Sequence, residues 1–264
     1  MAGSQEASVC AECDGTGWVR VPDRGAGSAR RCRCQLEQLV PELLEAAGIP
    51  TKYRACTFQN FRTGLDTDPT NKLLRAWRIC RNYVDDFLDP EAGGFTQRGL
   101  LLIGPPGVGK THLAAATLQE LIRRYRVRGR FLDFTAFLGR VQASFDPESE
   151  ESRHQLLDPV LRAEVLVFDE LGAQKPTPFV LDTLYLILNT RYSERRPTLF
   201  TTNFRVLPDA LGRERAGEGA IPRQDLLEER LGPRLVSRLY EMARPVEIDT
   251  ADYRLRYLRS AEVR

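Results

Sequence analysis

The chain has 264 residues, a formal net charge of +2 and a charged fraction of 28%. This length accommodates one α/β domain and a small additional module, and the near-neutral charge indicates no particular partner. No apolar stretch is long enough to cross a bilayer, and the N-terminus lacks the apolar core of a signal peptide. We therefore expect a cytoplasmic protein with no membrane partner.

The first feature along the chain is a cysteine cluster. A Cys-x-x-Cys pair and a Cys-x-Cys pair flank residues 14–31, which are typical of a short hairpin and contain too few apolar residues for a core. Four thiolates at this spacing can surround one tetrahedral Zn²⁺, and we predict as its ligands Cys10, Cys13, Cys32 and Cys34. The alternative is a loose tail with incidental thiols, because Cys-x-Cys is the less common second half. We expect Cys56 and Cys80 to be ordinary part-buried side chains.

Two helices are predicted next. Residues 35–47 favour a short helix that ends at Gly48-Ile49-Pro50, because glycine and proline commonly follow a helix C-terminus. Residues 70–88 repeat apolar side chains at helical spacing.

Residues 99–111 carry the strongest functional signal. A buried strand, Leu100–Ile103, leads into Gly-x-x-x-x-Gly-Lys-Thr, and an alanine-rich helix over 111–125 follows. The glycines let several N–H groups point at one anion, and the helix N-terminus adds partial positive charge. In this pattern the lysine reaches the β/γ-phosphates of a nucleoside triphosphate and the threonine hydroxyl ligates Mg²⁺. The predicted binding residues are Gly104, Pro105, Pro106, Gly107, Val108, Gly109, Lys110 and Thr111.

The remaining elements alternate between strand and helix. Apolar runs predict strands at 131–134, 164–168, 198–202 and 245–249, and helical spacing predicts helices at about 135–145, 150–161 and 178–193. Near-continuous apolar strands separated by helices indicate an α/β fold with a parallel sheet covered on both faces. The Gly-, Arg- and Glu-rich stretch 212–230 is typical of a solvated insertion.

Polar residues follow two of these strands. Asp169 and Glu170 end the apolar run Val165-Leu-Val-Phe, where a carboxylate can hold Mg²⁺ and the next acid can polarise an attacking water. Glu170 therefore indicates hydrolysis and not merely nucleotide binding. Asn203 ends Thr201-Thr202-Asn203 and can hydrogen-bond the γ-phosphate or orient the water, although a turn-forming asparagine is the simpler interpretation of that tripeptide alone.

Together these motifs resemble a known family. The lead-in GIPTKYRACTFQNF (48–61), GPPGVGKTHLA, VLVFDELG and TTN are similar to the DnaC/DnaI helicase loaders, which are AAA+ ATPases, and to the related IstB transposition helpers. The resemblance covers about residues 48–260 and implies a five-stranded parallel core that binds ATP and Mg²⁺. It also implies a homo-oligomer formed on ATP and DNA binding, which places a replicative DnaB-type helicase on single-stranded DNA.

The resemblance assigns roles to three arginines. Arg234 and Arg238 match an R-x₃-R pair near the subunit boundary, which implies that Arg238 is the arginine finger for a neighbour's ATP. Arg254 matches a late sensor arginine that reaches the γ-phosphate of its own subunit. Spacing alone would describe all three as solvated helix arginines. A planar, always-charged guanidinium suits the finger role because it stabilises charge on a transferring phosphoryl group.

The segment after the 131–134 strand is where the family carries a helix that contacts single-stranded DNA. Phe137 can stack on a base while Arg140 meets a phosphate, or Phe137, Leu138 and Val141 can belong to the core. An arginine run before that strand either attracts phosphates or forms a solvated face, and it comprises Arg123, Arg124, Arg126, Arg128 and Arg130. Aromatic residues of the lead-in lie where the family binds adenine, and packing against the core explains them equally well: Tyr53, Phe58 and Phe61.

We predict three regions: a zinc-binding module at 1–35, a helical linker and lead-in at 36–60, and an AAA+ ATPase domain at 61–264. The predicted function is ATP-dependent helicase loading, in which the zinc module and helix 35–47 contact the helicase. An IstB-like ATPase that regulates a transposase is the alternative within this fold. A zinc-dependent DNA-binding adaptor without hydrolysis is a further alternative, which the presence of Glu170 disfavours.

Overall fold

The computed structural model describes residues 10–14, 16, 18–20, 29–63, 72–89, 94–95, 98–206 and 226–250. Two small antiparallel hairpins and three helices precede the main sheet: β1 Trp18–Arg20, β2 Ala29–Arg31, α1 Arg33–Ala46, α2 Thr51–Arg54, α3 Lys72–Asp85, β3 Leu88–Asp89 and β4 Gly94–Phe95. The rest comprises β5 Gly99–Ile103, α4 Lys110–Tyr125, β6 Gly129–Asp133, α5 Phe134–Ala143, α6 Arg153–Arg162, β7 Val165–Asp169, α7 Pro178–Ser193, β8 Thr198–Thr202, α8 Leu227–Leu231, α9 Pro233–Met242 and β9 Ala243–Glu247. Within the described residues, no helix is long and apolar enough to span a bilayer.

The main sheet has five parallel strands in the order β6-β7-β8-β5-β9, which confirms the predicted fold class. Strand β8 therefore lies between β5, which precedes the phosphate loop, and β7, which ends in Asp169. The carboxyl ends of parallel strands meet at one edge of a sheet, where ligands of open α/β folds bind. The chain thus brings three separate motifs to that edge.

Both faces of the sheet are buried, which explains why its strands are almost continuously apolar. Alternate residues of β5 enter different cores, because successive side chains of a strand point to opposite faces. Leu100 and Leu102 pack with α3 and α4, whereas Leu101 and Ile103 pack with the helices α5 to α9 of the other face.

Helix capping and strand pairing move several element boundaries from their predicted positions. Phe134, predicted as the last strand residue, begins α5, because the Asp133 side chain accepts a hydrogen bond from the Ala136 N–H at 3.0 Å. Helix α6 begins at Arg153 and not near 150, because Ser152 and Gln155 form a reciprocal capping box. Strand β9 covers Ala243–Glu247, two residues earlier than predicted, since Gly99 pairs with Ala243 at the start of β5.

The predicted insertion at 212–230 is wrong at its C-terminal end. Residues 207–225 lie outside the described residues, but α8 follows at Leu227–Leu231 and buries both of its terminal leucines. The Leu227 N–H donates to the Arg205 carbonyl at 2.9 Å, so α8 is attached close to the end of β8. The many charged residues of this stretch predicted a solvated segment, although its last part begins a short helix with buried leucines.

The lead-in is bound to α4 through its backbone carbonyls. His112 Nε2 lies 2.9 Å from the Thr57 oxygen, and the buried Gln119 side chain donates to the Cys56 carbonyl at 2.8 Å. Trp77 of α3 donates to the Phe58 carbonyl at 2.9 Å, and its ring meets Phe58 edge to face. The helix that begins in the phosphate loop therefore also holds the segment that follows α1.

One buried arginine joins α7 to the neighbouring loops. Arg191 has no solvent exposure, and its guanidinium donates to the Thr198 hydroxyl and to the carbonyls of Val160, Ala163 and Pro197, at 2.8–3.1 Å. Burial lowers the pKa of Arg191 to about 9, which leaves it protonated at neutral pH. It therefore satisfies four oxygens, two at the end of α6 and two at the start of β8.

Candidate nucleotide-binding site

The phosphate loop has the backbone that the motif predicts. Gly109 precedes α4 with φ +92°, a left-handed conformation that favours glycine, and no side chain caps the helix N-terminus. A Cβ at Gly109 would lie 2.6 Å from the Phe61 ring, and a Cβ at Gly104 would lie 2.0 Å from the Ile248 carbonyl oxygen. Glycine is required at both positions, and the uncapped N–H groups of the first turn face the loop.

Lys110 links the phosphate loop to the end of β8. Its ammonium donates to the carbonyls of Gly104 and Pro105 and to Asn203 Oδ1, each at 2.7 Å. The Lys110 side chain is buried although it carries a charge. Asn203 is thus brought to the phosphate loop, which a simple turn role does not require.

Thr111 meets Asp169 across the sheet edge. Its hydroxyl donates to Asp169 Oδ1 at 2.9 Å, and Thr201 donates to the same oxygen at 2.6 Å. Asp169 is only 5% exposed, and burial raises the pKa of its carboxyl, although these two hydrogen bonds oppose the shift. A buried carboxylate beside a hydroxyl offers the oxygen ligands that Mg²⁺ prefers.

Glu170 lies at the exposed end of this arrangement. It has φ +59°, and its N–H donates to Thr201 Oγ1 at 3.0 Å. The following Leu171 N–H donates to the Thr201 carbonyl at 2.8 Å, so β8 fixes the backbone on both sides of Glu170. A left-handed conformation in a non-glycine residue is a strain that functional sites commonly hold.

Thr201 is the functional residue that the sequence analysis missed. It orients Asp169 and anchors Glu170, yet it is buried inside a strand where a threonine is unremarkable. The available signal was the strand period of two, which places Thr201 on the same face as Asn203.

The lead-in aromatic residues pack against the core. Phe58 is buried, Tyr53 lies near Phe131, and the Phe61 ring meets the His112 ring edge to face with centroids 5.2 Å apart. Phe61 also covers Gly109 of the phosphate loop. The packing interpretation therefore accounts for these residues.

The three arginines have different outcomes. Arg238 of α9 donates to Asn189 Oδ1, and its guanidinium carbon lies 4.9 Å from the centroid of the Tyr192 ring. Among the described residues, its contacts are thus with α7 and not with its own phosphate loop. Arg234 is exposed, and Arg254 lies outside the described residues.

Of the two alternatives for Phe137, base stacking and core packing, the structure shows core packing. Phe137 is 6% exposed and belongs to the core with Leu138 and Val141, because Asp133 starts the helix with these residues facing the sheet. Arg140 is exposed and forms an ion pair with Glu151. The exposed aromatic residue nearby is Phe145, 58% exposed, which meets Phe179 edge to face.

Most of the arginine run is engaged within the domain. Arg124 pairs with Glu120 and Asp85, and Arg128 pairs with Glu164. Arg130 donates to the Ala46 carbonyl, and Arg123 donates to the Gln119 side chain. These contacts favour a solvated face of the protein over a free phosphate-binding patch.

The four N-terminal cysteines converge on one point. Their Sγ atoms all lie within 4.8 Å of one another, with Cys10–Cys32 at 3.8 Å and Cys13–Cys34 at 3.5 Å. A tetrahedral Zn²⁺ with Zn–S bonds of about 2.3 Å requires sulfurs about 3.8 Å apart, so the cluster fits this ion. The hydrogen bond with Cys13 and, to a smaller extent, burial raise the pKa of the Cys34 thiol to about 12. A bound cation would instead favour the thiolate form.

The two other cysteines are buried and lie outside this cluster. Burial raises the pKa of Cys80 to about 12, which is typical of an inert structural thiol. They are more deeply buried than the sequence suggested.

Strand β8, which is followed by Asn203, lies between β5, which leads into the phosphate loop, and β7, which ends in Asp169. This strand order defines a P-loop nucleotide-binding protein of the AAA+ class. A family model described as IstB-like ATP binding protein matches residues 95–261, and the chain belongs to this family.

Individual relatives agree with that assignment. The phage-like element PBSX protein XkdC of Bacillus subtilis (strain 168) is 28% identical over 238 residues, which make up 88% of this chain and 79% of XkdC. The replicative helicase loader DnaC of Escherichia coli (strain K12) is 31% identical over 159 residues, 60% of this chain and 59% of DnaC. The crystal structure of the DnaC helicase loader matches with a TM-score of 0.59 at 27% identity, over 75% of this chain and 99% of that one. The resemblance to the DnaC/DnaI loaders is confirmed.

Proposed function

We propose that this protein is an ATPase that loads a replicative DnaB-type helicase onto single-stranded DNA. The observation that carries the proposal is the convergence of Lys110, Asn203, Thr111 and Asp169 at one sheet edge. Relatives named as replicative helicase loaders support the biological role.

Each residue of the site then has a chemical task. Backbone N–H groups of the phosphate loop and Lys110 bind the triphosphate, and Thr111 with Asp169 would hold Mg²⁺, which neutralises charge developing on the phosphoryl oxygens. Glu170 accepts a proton from the attacking water, and its fixed backbone limits where that carboxylate can reach. Asn203 accepts from Lys110 and keeps the ammonium aligned with the γ-phosphate.

Catalysis is shared between subunits in this proposal. Arg238 lies on α9, and its hydrogen bond and ring contact are with α7 and not with its own phosphate loop, which is consistent with a role toward a neighbouring molecule. Arg254 completes the site from its own subunit, and its role stays a prediction. ATP and DNA promote the homo-oligomer in which both arginines reach a nucleotide.

Mixing two inactive variants tests this sharing. Arg238→Ala keeps a complete ATP-binding site, and Lys110→Ala keeps an intact finger, so mixed assemblies contain some complete composite sites. We expect ATPase activity to recover partly in the mixture with single-stranded DNA, and in neither variant alone. No recovery in demonstrated mixed oligomers would place Arg238 outside the shared site and make Arg234 the next candidate.

We assign the DNA contact to the region between α5 and α6, with Phe145 in place of Phe137 as the residue that stacks on a base. The exposed ring of Phe145, which rests edge to face on the partly buried Phe179, is available for base stacking, and Arg140 lies on α5 just before it. Phe145→Ala should weaken binding of fluorescent single-stranded DNA, while Leu186→Ala, which alters an exposed leucine on α7, should not. Equal affinities of the two variants would contradict this assignment.

The zinc module and α1 contact the helicase in this proposal. A pull-down of the host's replicative helicase by the zinc-loaded protein tests this contact. We expect capture by the unmodified protein and loss of capture by the Cys32→Ser/Cys34→Ser variant. Capture of a transposase instead would favour the IstB-like alternative. A protein that binds DNA and never hydrolyses ATP would favour the adaptor.

A further inference from the structure

Arg238 is held by two side chains of the neighbouring helix. Asn189 and Tyr192 are separated by one helical turn on α7, and both face α9 across the helix pair. Asn189 accepts a hydrogen bond from Arg238 Nη1, and the Tyr192 ring lies under the guanidinium. The hydrogen bond to Asn189 and the contact with the Tyr192 ring together restrict the position and the rotation of the guanidinium.

Tyr192 is itself fixed from the other helix. Its hydroxyl donates to Glu241 Oε2 at 2.6 Å, and Glu241 follows Arg238 by one turn of α9. This hydrogen bond, with the nearby charge of Glu241, raises the pKa of the Tyr192 phenol, so the hydroxyl remains a donor at neutral pH. The two helices are therefore cross-linked twice, once by the arginine and once by the tyrosine that supports it.

This network lies at the protein surface, where it contributes little to folding. Tyr192 is 39% exposed and Glu241 is exposed, and interactions of this kind at the surface typically stabilise the fold only weakly. The larger effect of the network is on the conformational freedom of Arg238, since a free arginine side chain loses rotamer entropy when it is fixed. An arginine that is already oriented loses less when it binds a phosphate on another molecule.

We propose that Asn189 and Tyr192 are positioning residues that orient Arg238 toward ATP bound by a neighbouring subunit. This inference rests on the proposed function, in which Arg238 is an arginine finger acting between subunits. Asn189 and Tyr192 do not touch the nucleotide; they act through the guanidinium. Their effect consequently belongs to the subunit that donates the finger and not to the subunit that binds ATP.

The mixing experiment separates these two subunits. The donor is Lys110→Ala, which supplies Arg238 but binds no ATP, and the acceptor is Arg238→Ala, which binds ATP but supplies no finger. Adding Asn189→Ala to the donor should lower kcat of the mixture about tenfold, equivalent to about 1.4 kcal/mol of lost orientation, with KM for ATP unchanged. Adding Asn189→Ala to the acceptor should change neither parameter.

Conservative variants distinguish positioning from general damage. Tyr192→Phe in the donor keeps the ring under the guanidinium, so it should retain more activity than Tyr192→Leu. Leu186→Ala, at an equally exposed position of α7, is the matched control and should have no effect. A thermal unfolding measurement shows whether each donor variant is folded. If the Asn189→Ala donor does not fold, the Tyr192→Leu donor provides the test.

The outcomes separate the two proposals. No activity in the unmodified donor–acceptor mixture, with mixed oligomers present, refutes the shared finger. Activity in that mixture that is unaffected by Asn189→Ala and Tyr192→Leu in the donor overturns the positioning role alone. Equal losses from donor and acceptor placement, or equal losses in Tyr192→Phe and Tyr192→Leu, also overturn it, because the effect would then not depend on the ring that contacts Arg238.

Discussion

Lys110 and Glu170 separate nucleotide binding from hydrolysis. The Lys110 ammonium lies within 2.7 Å of three oxygens and is buried, so it is already desolvated at the site. Hydrogen bonds from a charged donor contribute about 1.5–3 kcal/mol each, and one or two such bonds to the β/γ-phosphates correspond to about 1.5–6 kcal/mol. Lys110→Ala should therefore weaken ATP binding by at least about tenfold.

Glu170→Gln should give the opposite pattern. Glu170 is exposed, and its N–H, not its carboxylate, is hydrogen-bonded to Thr201, so the amide fits without disturbing the loop. ATP affinity should stay within about threefold, while loss of the general base should lower kcat by about 10²–10⁴.

The assay combines equilibrium binding of a fluorescent ATP analogue with steady-state ATPase rates in the presence of single-stranded DNA. Glu42→Gln, which alters an exposed carboxylate on α1 away from the proposed DNA contact, is the matched control and should leave both quantities unchanged. Equal loss of ATP affinity in Lys110→Ala and Glu170→Gln would refute the reasoning, because Glu170 would then hold the nucleotide or its Mg²⁺.

Three further predictions concern metal and stability. Purified protein should contain about one Zn²⁺ per chain by elemental analysis, lost in the Cys32→Ser/Cys34→Ser variant and kept in Cys56→Ser; a double variant with full metal content would contradict the assignment. Arg191→Met should lower Tm by about 10 °C, since four buried oxygens lose their donor at a cost of about 4 kcal/mol, whereas Arg162→Met at an exposed ion pair should change Tm by less than about 2 °C; equal values would refute this. Asp169→Asn should raise Tm without nucleotide, because burial raises the pKa of the Asp169 carboxyl and makes its charged form unfavourable in the folded protein. This gain in Tm should shrink as the pH falls through that pKa, since the native carboxyl then becomes neutral too. A gain in Tm that is independent of pH would exclude this cause.

Much of the architecture was predictable because it depends on local patterns. Strands buried on both faces produce continuous apolar runs, and the Gly-x-x-x-x-Gly-Lys-Thr motif fixes the conformation of its own backbone. The sequence also indicated that Asp169 and Asn203 come at the ends of two successive strands of the chain, and parallel pairing brought both to the phosphate loop.

The errors arose where one side chain decides between two local solutions. Asp133 caps α5 one residue earlier than the apolar run suggests, so Phe134 begins the helix and does not end the strand. The same cap decides the open question of Phe137, which lies in the core. Pairing of Ala243 with Gly99, which no local pattern reveals, set the start of β9. The contacts of Arg238 with α7 also depend on tertiary packing, because they join residues far apart in the chain.

The most direct test of the central claim measures helicase loading itself. The host's DnaB-type helicase is incubated with this protein, ATP and a circular single-stranded DNA that carries an annealed, forked oligonucleotide, and displacement of the oligonucleotide is followed. We predict displacement that requires this protein and is abolished by Lys110→Ala. Displacement that is equally fast without the protein, or unchanged with Lys110→Ala, would contradict an ATP-dependent helicase loader.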